Sequence, residues 1–401
     1  MKRKFLAIAL AGLSTALVSG AVLAQKKYDT GATDKEIKLG NIMPYSGPAS
    51  AYGAIGKSMD AYFKKINAEG GVNGRQIKFI SLDDGYNPSR TVEQARKLVE
   101  EEEVLATVGV LGTPPNSAIH KYMNQKRTPQ LFVATGATKW GDPKNFPWTM
   151  GWQPNYQTES KIYVQHLLET KPNAKIGILY QNDDYGKDYL KGLQDGLGDK
   201  FKSMVVKTLT YEVTDPTIDS QMVELKASGA DVFFNFTTPK FAAQAIKKSA
   251  EIGWKPQHYL NSVSNSVGAV MAPAGMENGV GILSVFYLKD PTDTKWHSGA
   301  EYRDWKAFMD RYMPGGDLKD INNVFGYTMA QGVVQVLKQA GDNLTRENVM
   351  RQAASLDINL PMLLPGVNVK TGPDDFYPME RNQLGRWDGK TWALEGKVIG
   401  R

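Results

Sequence analysis

The residues best suited to chemistry stand in three turns that follow apolar runs. In GVLGTPPNSAIHKYMN (109–124) an extended run ends at Gly112, and Thr113, Pro114 and Pro115 open a helix. The Thr113 hydroxyl either caps that helix or, with the later first-turn N–H groups, holds an anion such as a carboxylate at the positive helix end. FVATGATKWGD (132–142) repeats the arrangement, with Thr135, Thr138 and Trp140 around Gly136. There the missing side chain lets the backbone approach a ligand closely. PYSGPASAYG (44–53) puts Tyr45 and Tyr52 in a Pro/Gly turn after the apolar stretch 37–43. Tyr52 stands at the start of the next helix, at the edge of any cleft; Tyr45 is as well suited to packing.

Catalytic patterns are missing. The chain has no G-x-G-x-x-G, H-E-x-x-H or G-x-S-x-G, and GKT at 389–391 lacks the upstream glycine of a phosphate loop because position 384 is Leu. His120, His166, His258 and His297 are too scattered for a metal site, and with no cysteine there is no disulfide, thiolate nucleophile or thiolate metal site. No enzymatic activity, cofactor or metal is therefore expected. Asp83-Asp84 and Asp183-Asp184 each follow an extended run, where turn formation and capping explain them more simply than a place on a cleft rim. The acidic run 100–103 ends an amphipathic helix and reads as a solvated face.

These turns need a scaffold, and the pattern supplies one. Extended runs at 37–42, 76–82, 105–110, 130–134, 175–180, 205–210, 230–236 and 258–261 alternate with helical periods such as Ile55, Met59, Tyr62, Phe63 and Ile66. Asn87 and Pro88 suit a cap and first turn, while Gly70 and Gly71 close the first long helix. Such alternation predicts an α/β protein with parallel sheets covered by helices on both faces. It starts afresh after WTMGWQPN (148–155), which predicts two lobes joined there. Helices at 300–313, 323–340 and 346–354 must complete one lobe or the other, so the chain crosses between them more than once. In open parallel sheets ligands sit beyond the carboxyl ends of the strands, which here is the cleft between lobes.

Length and composition agree. The 401 residues, 41% hydrophobic, suffice for roughly two domains. Lys2, Arg3 and Lys4 precede an apolar run at 5–18, and Val22 and Ala24 offer a cleavage point, so residues 1–24 read as a secretory signal peptide. Gln25, not cysteine, follows, so a freely soluble product is expected. Removing the leader takes the formal charge from +6 to +3, because three basic residues and no acid leave. That is too mild a charge to imply nucleic acid.

IKLGNIMPYSGPASAYG, INAEGGVNGRQIKFISLDDGYNPSRTVEQARKLVEEE, VGVLGT and NDDYGKDYLKGLQDGL, in that order, resemble the periplasmic substrate-binding proteins of the branched-chain amino acid type of ABC importer. The resemblance implies a type I periplasmic binding protein fold, with two doubly wound parallel-sheet lobes joined by a three-crossover hinge. Lobe 1 would comprise 25–151 and 287–363, and lobe 2 152–286 and 364–401. It further implies a periplasmic, monomeric protein that closes on a small carboxylate-bearing ligand and delivers it to an inner-membrane ABC permease; the alternative is a sensor of the same fold that signals instead. By the resemblance, Tyr52 lies over the ligand, Thr113 hydrogen-bonds its carboxylate, Gly136 and Thr138 form a second carboxylate-binding turn, and Tyr185 comes from the second lobe. Thr238 falls where relatives carry another cleft tyrosine, so an aromatic wall is missing or shifted there. Relatives place a disulfide at the positions of Tyr86 and Gly112.

One departure bears on the ligand. Where leucine-binding relatives offer a glutamate to the ammonium group, this chain has Val263 or Ser264, and no acid lies in 252–275. Burying an unpaired ammonium costs several kcal/mol, and each ~1.4 kcal/mol is tenfold in affinity. The expected ligand is a carboxylate without an obligatory ammonium, such as an aromatic or other organic acid, unless Asp83, Asp183 or Glu159 supplies the missing charge.

Overall fold

Apolar runs buried on both faces form the central strands, as parallel sheets require. The computed structural model describes residues 26–400, so the leader expected at 1–24 lies outside the described residues. In the first lobe β1 (Glu36–Met43), β2 (Gln76–Asp83), β3 (Ala106–Val108), β4 (Gln130–Val133) and β5 (Thr149–Gly151) make a parallel sheet of order β2-β1-β3-β4-β5. The second sheet holds β6 (Ile176–Gln181), β7 (Val205–Tyr211), β8 (Val232–Phe236), β9 (Gln257–Leu260), β10 (Leu283–Phe286), β11 (Arg381–Trp387) and β12 (Trp392–Gly400). Its order is β12-β11-β10-β9-β8-β6-β7, parallel from β7 to β10, with an antiparallel hairpin β11–β12 added at the edge.

The helices are α1 (Gly53–Ala68), α2 (Pro88–Arg96), α3 (Thr113–Gln125), α4 (Tyr156–Thr170), α5 (Asp184–Leu197), α6 (Asp219–Ala227), α7 (Pro239–Glu251), α8 (Ala300–Tyr312), α9 (Ile321–Ala340) and α10 (Arg346–Ala353). Local chemistry sets their ends. The Asn87 side chain accepts from the Ser89 and Arg90 amides with Pro88 in the first turn, and Asp183 does the same for Tyr185 and Gly186 at the start of α5. α9 is buried nearly all round and lies along α1. A Cβ on Gly326 would come within 2.4 Å of the Ile55 carbonyl oxygen, and the Ser58 hydroxyl donates to the Asn323 carbonyl at 2.7 Å.

Four strands lie outside the expected runs: β5, β10 and the two strands of the hairpin β11–β12, whose mixed polar and apolar residues suit a sheet edge. β5 forms inside the stretch read as a linker, because Thr149 and Gly151 pair with Gln130 and Val133 at the sheet edge. β10 lies just ahead of the mostly helical region. The chain leaves the first sheet after Gly151, returns after Phe286 to add α8 and α9 beside α1 and α10 against α9, and re-enters the second sheet at Arg381. It therefore passes between the lobes three times.

Candidate functional site

A cavity lies where the carboxyl ends of the parallel strands face helix starts from both lobes. Tyr52 and Ile55 enter it at the start of α1, Thr113 at the start of α3, Tyr156 and Tyr185 from α4 and α5, and Thr238 from the residue preceding α7. Residues after β9 and β10, notably Ser262, Val263 and Tyr287, and the first turn of α9 complete the wall. No Asp, Glu, Lys, Arg or His side chain lines it. Converging helix N-termini give the space a positive bias without a formal cation. Burial pushes the phenols of Tyr52, Tyr86, Tyr156, Tyr185 and Tyr287 up, so all five stay protonated and can donate.

The first-lobe turns differ in detail from expectation. Gly112, at φ 94°, occupies the position before α3, and Thr113 is the first helical residue with no capping bond of its own. Its hydroxyl instead faces that of Thr135 at 2.6 Å, both side chains buried. Only one hydrogen can lie between two hydroxyls, so the pair retains one to donate elsewhere. The Asn116 amide bonds the Gly112 carbonyl, which leaves these hydroxyls, and not that first-turn amide, as donors toward the cavity.

Gly136 and Thr138 do not line the cavity. Gly136 is needed for a close approach of chain to chain: a Cβ would sit 2.4 Å from the Pro154 carbonyl oxygen, and the Gly136 carbonyl accepts the Tyr156 amide at 2.8 Å. The Thr138 amide and hydroxyl both donate to Asp188 of α5, at 2.9 and 3.0 Å, which makes Thr138 a contact between lobes. Tyr45 packs inside the first lobe, its hydroxyl 2.6 Å from that of Ser81.

On the second lobe the Tyr185 hydroxyl donates to the Thr237 carbonyl at 3.1 Å, and the Thr238 amide donates to the Tyr211 hydroxyl at 2.9 Å. Ser264 is not part of the wall: its hydroxyl donates to the Thr237 carbonyl and lies beside the Tyr52 hydroxyl; Ser262, Val263 and Asn265 of the same segment line the cavity. The three acids considered as a counter-charge for an ammonium are engaged elsewhere. Asp83 holds the amides of Tyr45, Ser46 and Gly85, and Asp183 caps α5. Glu159 lies buried behind Ser262 and accepts its amide at 2.8 Å, its hydroxyl at 2.6 Å and the Tyr163 and Tyr189 hydroxyls. Burial pushes the Glu159 carboxyl up against the lowering effect of these donors.

Several cavity residues escaped the sequence. Tyr86 reads as part of a turn, Tyr156 as an ordinary first-turn residue, and Tyr287 lies in a crossover with no periodicity. The aromatic wall is thus shifted, not missing: Tyr156 stacks on Tyr189 at 4.3 Å and meets Tyr185 edge-on at 5.6 Å. Tyr156 follows Asn155, a helix-capping residue, and that strand-to-helix position was the one available clue.

The lobes touch across the cavity and at its rim. The Tyr52 hydroxyl donates to the Val263 carbonyl at 3.1 Å, a bond worth about 0.5–1.5 kcal/mol net. Outside it, Lys139 and Asp184 pair at 2.7 Å, and Thr138 meets Asp188; the Tyr377 hydroxyl, in the segment ahead of β11, donates to the Thr138 carbonyl at 2.6 Å.

Two α/β lobes closing on a cavity at their strand ends define a solute-binding protein of the type I periplasmic class. The family described as periplasmic binding protein matches residues 36–391, and the chain belongs to it. It is 26% identical over 342 residues to the Leu/Ile/Val-binding protein homolog 1 of Brucella abortus, covering 82% of this chain and 86% of that one. Among solved structures it resembles a branched-chain amino acid ABC transporter protein from Thermus thermophilus with bound valine, with a TM-score of 0.82, 16% identity, and 92% and 97% of the two chains covered. It also resembles a solute-binding protein from R. palustris in complex with benzoate, with a TM-score of 0.76, 19% identity, and 91% and 98% covered.

Proposed function

We propose that the protein is the periplasmic solute-binding component of an ABC importer of the branched-chain amino acid type. Its solute is a small carboxylate, aromatic by preference, with no obligatory ammonium, handed on to an inner-membrane permease after residues 1–24 are removed. The moving units are 25–151 with 287–363, and 152–286 with 364–401. The observation that carries this reading is the absence of any charged side chain on the cavity wall. An ammonium there would lose its hydration for no counter-charge, whereas a carboxylate meets hydroxyl donors and helix N-termini. The fold is shared by a valine-bound and a benzoate-bound protein; the uncharged, tyrosine-rich wall favours the second chemistry. A solute touching both lobes favours their closed arrangement by its differential affinity for it.

A thermal-shift screen of the mature protein tests the reading. Benzoate at a hundred times its Kd should add about 2.7 kcal/mol of stability, with leucine, isoleucine and valine giving little. Strong stabilisation by those three and none by benzoate would falsify it.

A further inference from the structure

Tyr86 combines features that packing alone does not demand. Its backbone is left-handed at φ 62°, a region that bulky residues occupy only where surrounding structure holds them. The hold is visible: the Tyr86 amide donates to Asp84 at 2.8 Å, and the other Asp84 oxygen takes the Thr91 hydroxyl at 2.7 Å. The ring is buried and forms cavity wall. It can lie there only because position 112 is glycine, since a Cβ at Gly112 would come within 2.4 Å of Tyr86 Cε2. The hydroxyl lies beside the Gln181 side chain at the end of β6, so a residue rooted in the first lobe reaches the second.

We propose that Tyr86, laid over Gly112 beside Thr113, sets the specificity of the cavity by packing its ring against an aromatic solute whose carboxylate meets the Thr113 and Thr135 hydroxyls. The assignment rests on the carboxylate reading above and deepens it: preference for an aromatic over an aliphatic acid belongs to this ring. Aromatic pairs prefer offset or edge-to-face contact and gain beyond area burial, which an aliphatic acid of similar size cannot match.

Titration of wild type and variants with benzoate and 3-methylbutanoate tests it. Tyr86→Leu should lower the benzoate-to-methylbutanoate affinity ratio by at least about tenfold, while Tyr86→Phe, which keeps the ring, should hold it within about threefold. A purely structural role would weaken both acids together, and a ratio within about threefold of wild type in Tyr86→Leu overturns the proposal. Should that variant not fold, Tyr86→Met, a flexible filler of the same space, carries the same expectation. Failure of the solute class shows separately, as a wild type that binds neither acid; phenylalanine and leucine then serve as the aromatic and aliphatic pair, and the same ratio decides.

Discussion

The two walls of the cavity commit their polar groups differently. On the second lobe Tyr185 gives its hydrogen to the Thr237 carbonyl, Thr238 is tied to Tyr211, and Ser262 is held by Glu159; each bond is closed within that lobe. On the first lobe Thr113 and Thr135 share a single hydrogen, and the Thr135 hydroxyl lies beside that of Tyr156, so the hydrogens of this cluster are held by hydroxyls alone. Counting polar residues would rate the walls alike, yet a hydroxyl held only by other hydroxyls gives up less to a carboxylate ligand than one held by a carbonyl or by a buried carboxylate. In the proposed function the carboxylate therefore turns to the first lobe and the apolar body to the second-lobe rings.

The largest effect expected comes from a third case, in the chain that crosses between the walls. Asp290 is buried; one oxygen takes the Thr292 amide and hydroxyl, the other has no partner, and burial pushes its carboxyl up to about 6. A carboxyl raised by folding binds its proton more tightly in the folded state, so its contribution to stability is greatest in acid and falls as pH rises toward about 6. Urea unfolding of wild type and Asp290→Asn should diverge by about 2–3 kcal/mol between pH 4 and pH 7, the variant gaining. Parallel curves would mean that an unpartnered buried oxygen costs nothing here.

Next, Thr113→Val deletes the hydroxyl while nearly keeping the shape. Calorimetry should show benzoate binding about ten- to a hundredfold weaker, with a ligand-free melting temperature close to wild type. An unchanged affinity would erase the contrast between the walls. Ser262→Gly should give the smallest change. Uncovering Glu159 behind the wall should raise leucine affinity about tenfold, and no gain would show that the acid is out of reach of any solute.

Much of the frame was legible because parallel strands leave a strong mark. β8 reads as an apolar run interrupted only by Asn235, and Asn87-Pro88 announces α2 through cap and first-turn chemistry. β5 lies in a stretch whose Trp, Gly and Pro read as a connector, β10 just ahead of a helical region, and β11 and β12 carry charged and polar residues that hide a strand at the sheet edge. The site divides along similar lines. Tyr52 and Thr113 stand at a strand's end and a helix's start, where topology alone puts a residue at the cleft. Tyr86 sits in DDGYNPS, a stretch fully accounted for as turn and cap, and its place on the cavity depends on the missing side chain of a glycine 26 positions later. The lack of an acid near Val263 was visible; that Glu159 would be sealed behind Ser262 was not, since it requires the packing of α4 against the segment after β9.

The rim contacts bear on fidelity. Thr138 with Asp188 and Lys139 with Asp184 join the lobes without touching the cavity. Bonds that form whether or not the cavity is filled lower the free energy of the shut molecule in both cases, and so set a floor on how often an empty one presents its shut outline. A receptor reading that outline alone would meet vacant carriers at that rate. The strength of two contacts at the mouth thereby limits how sharply such a receptor can tell cargo from none.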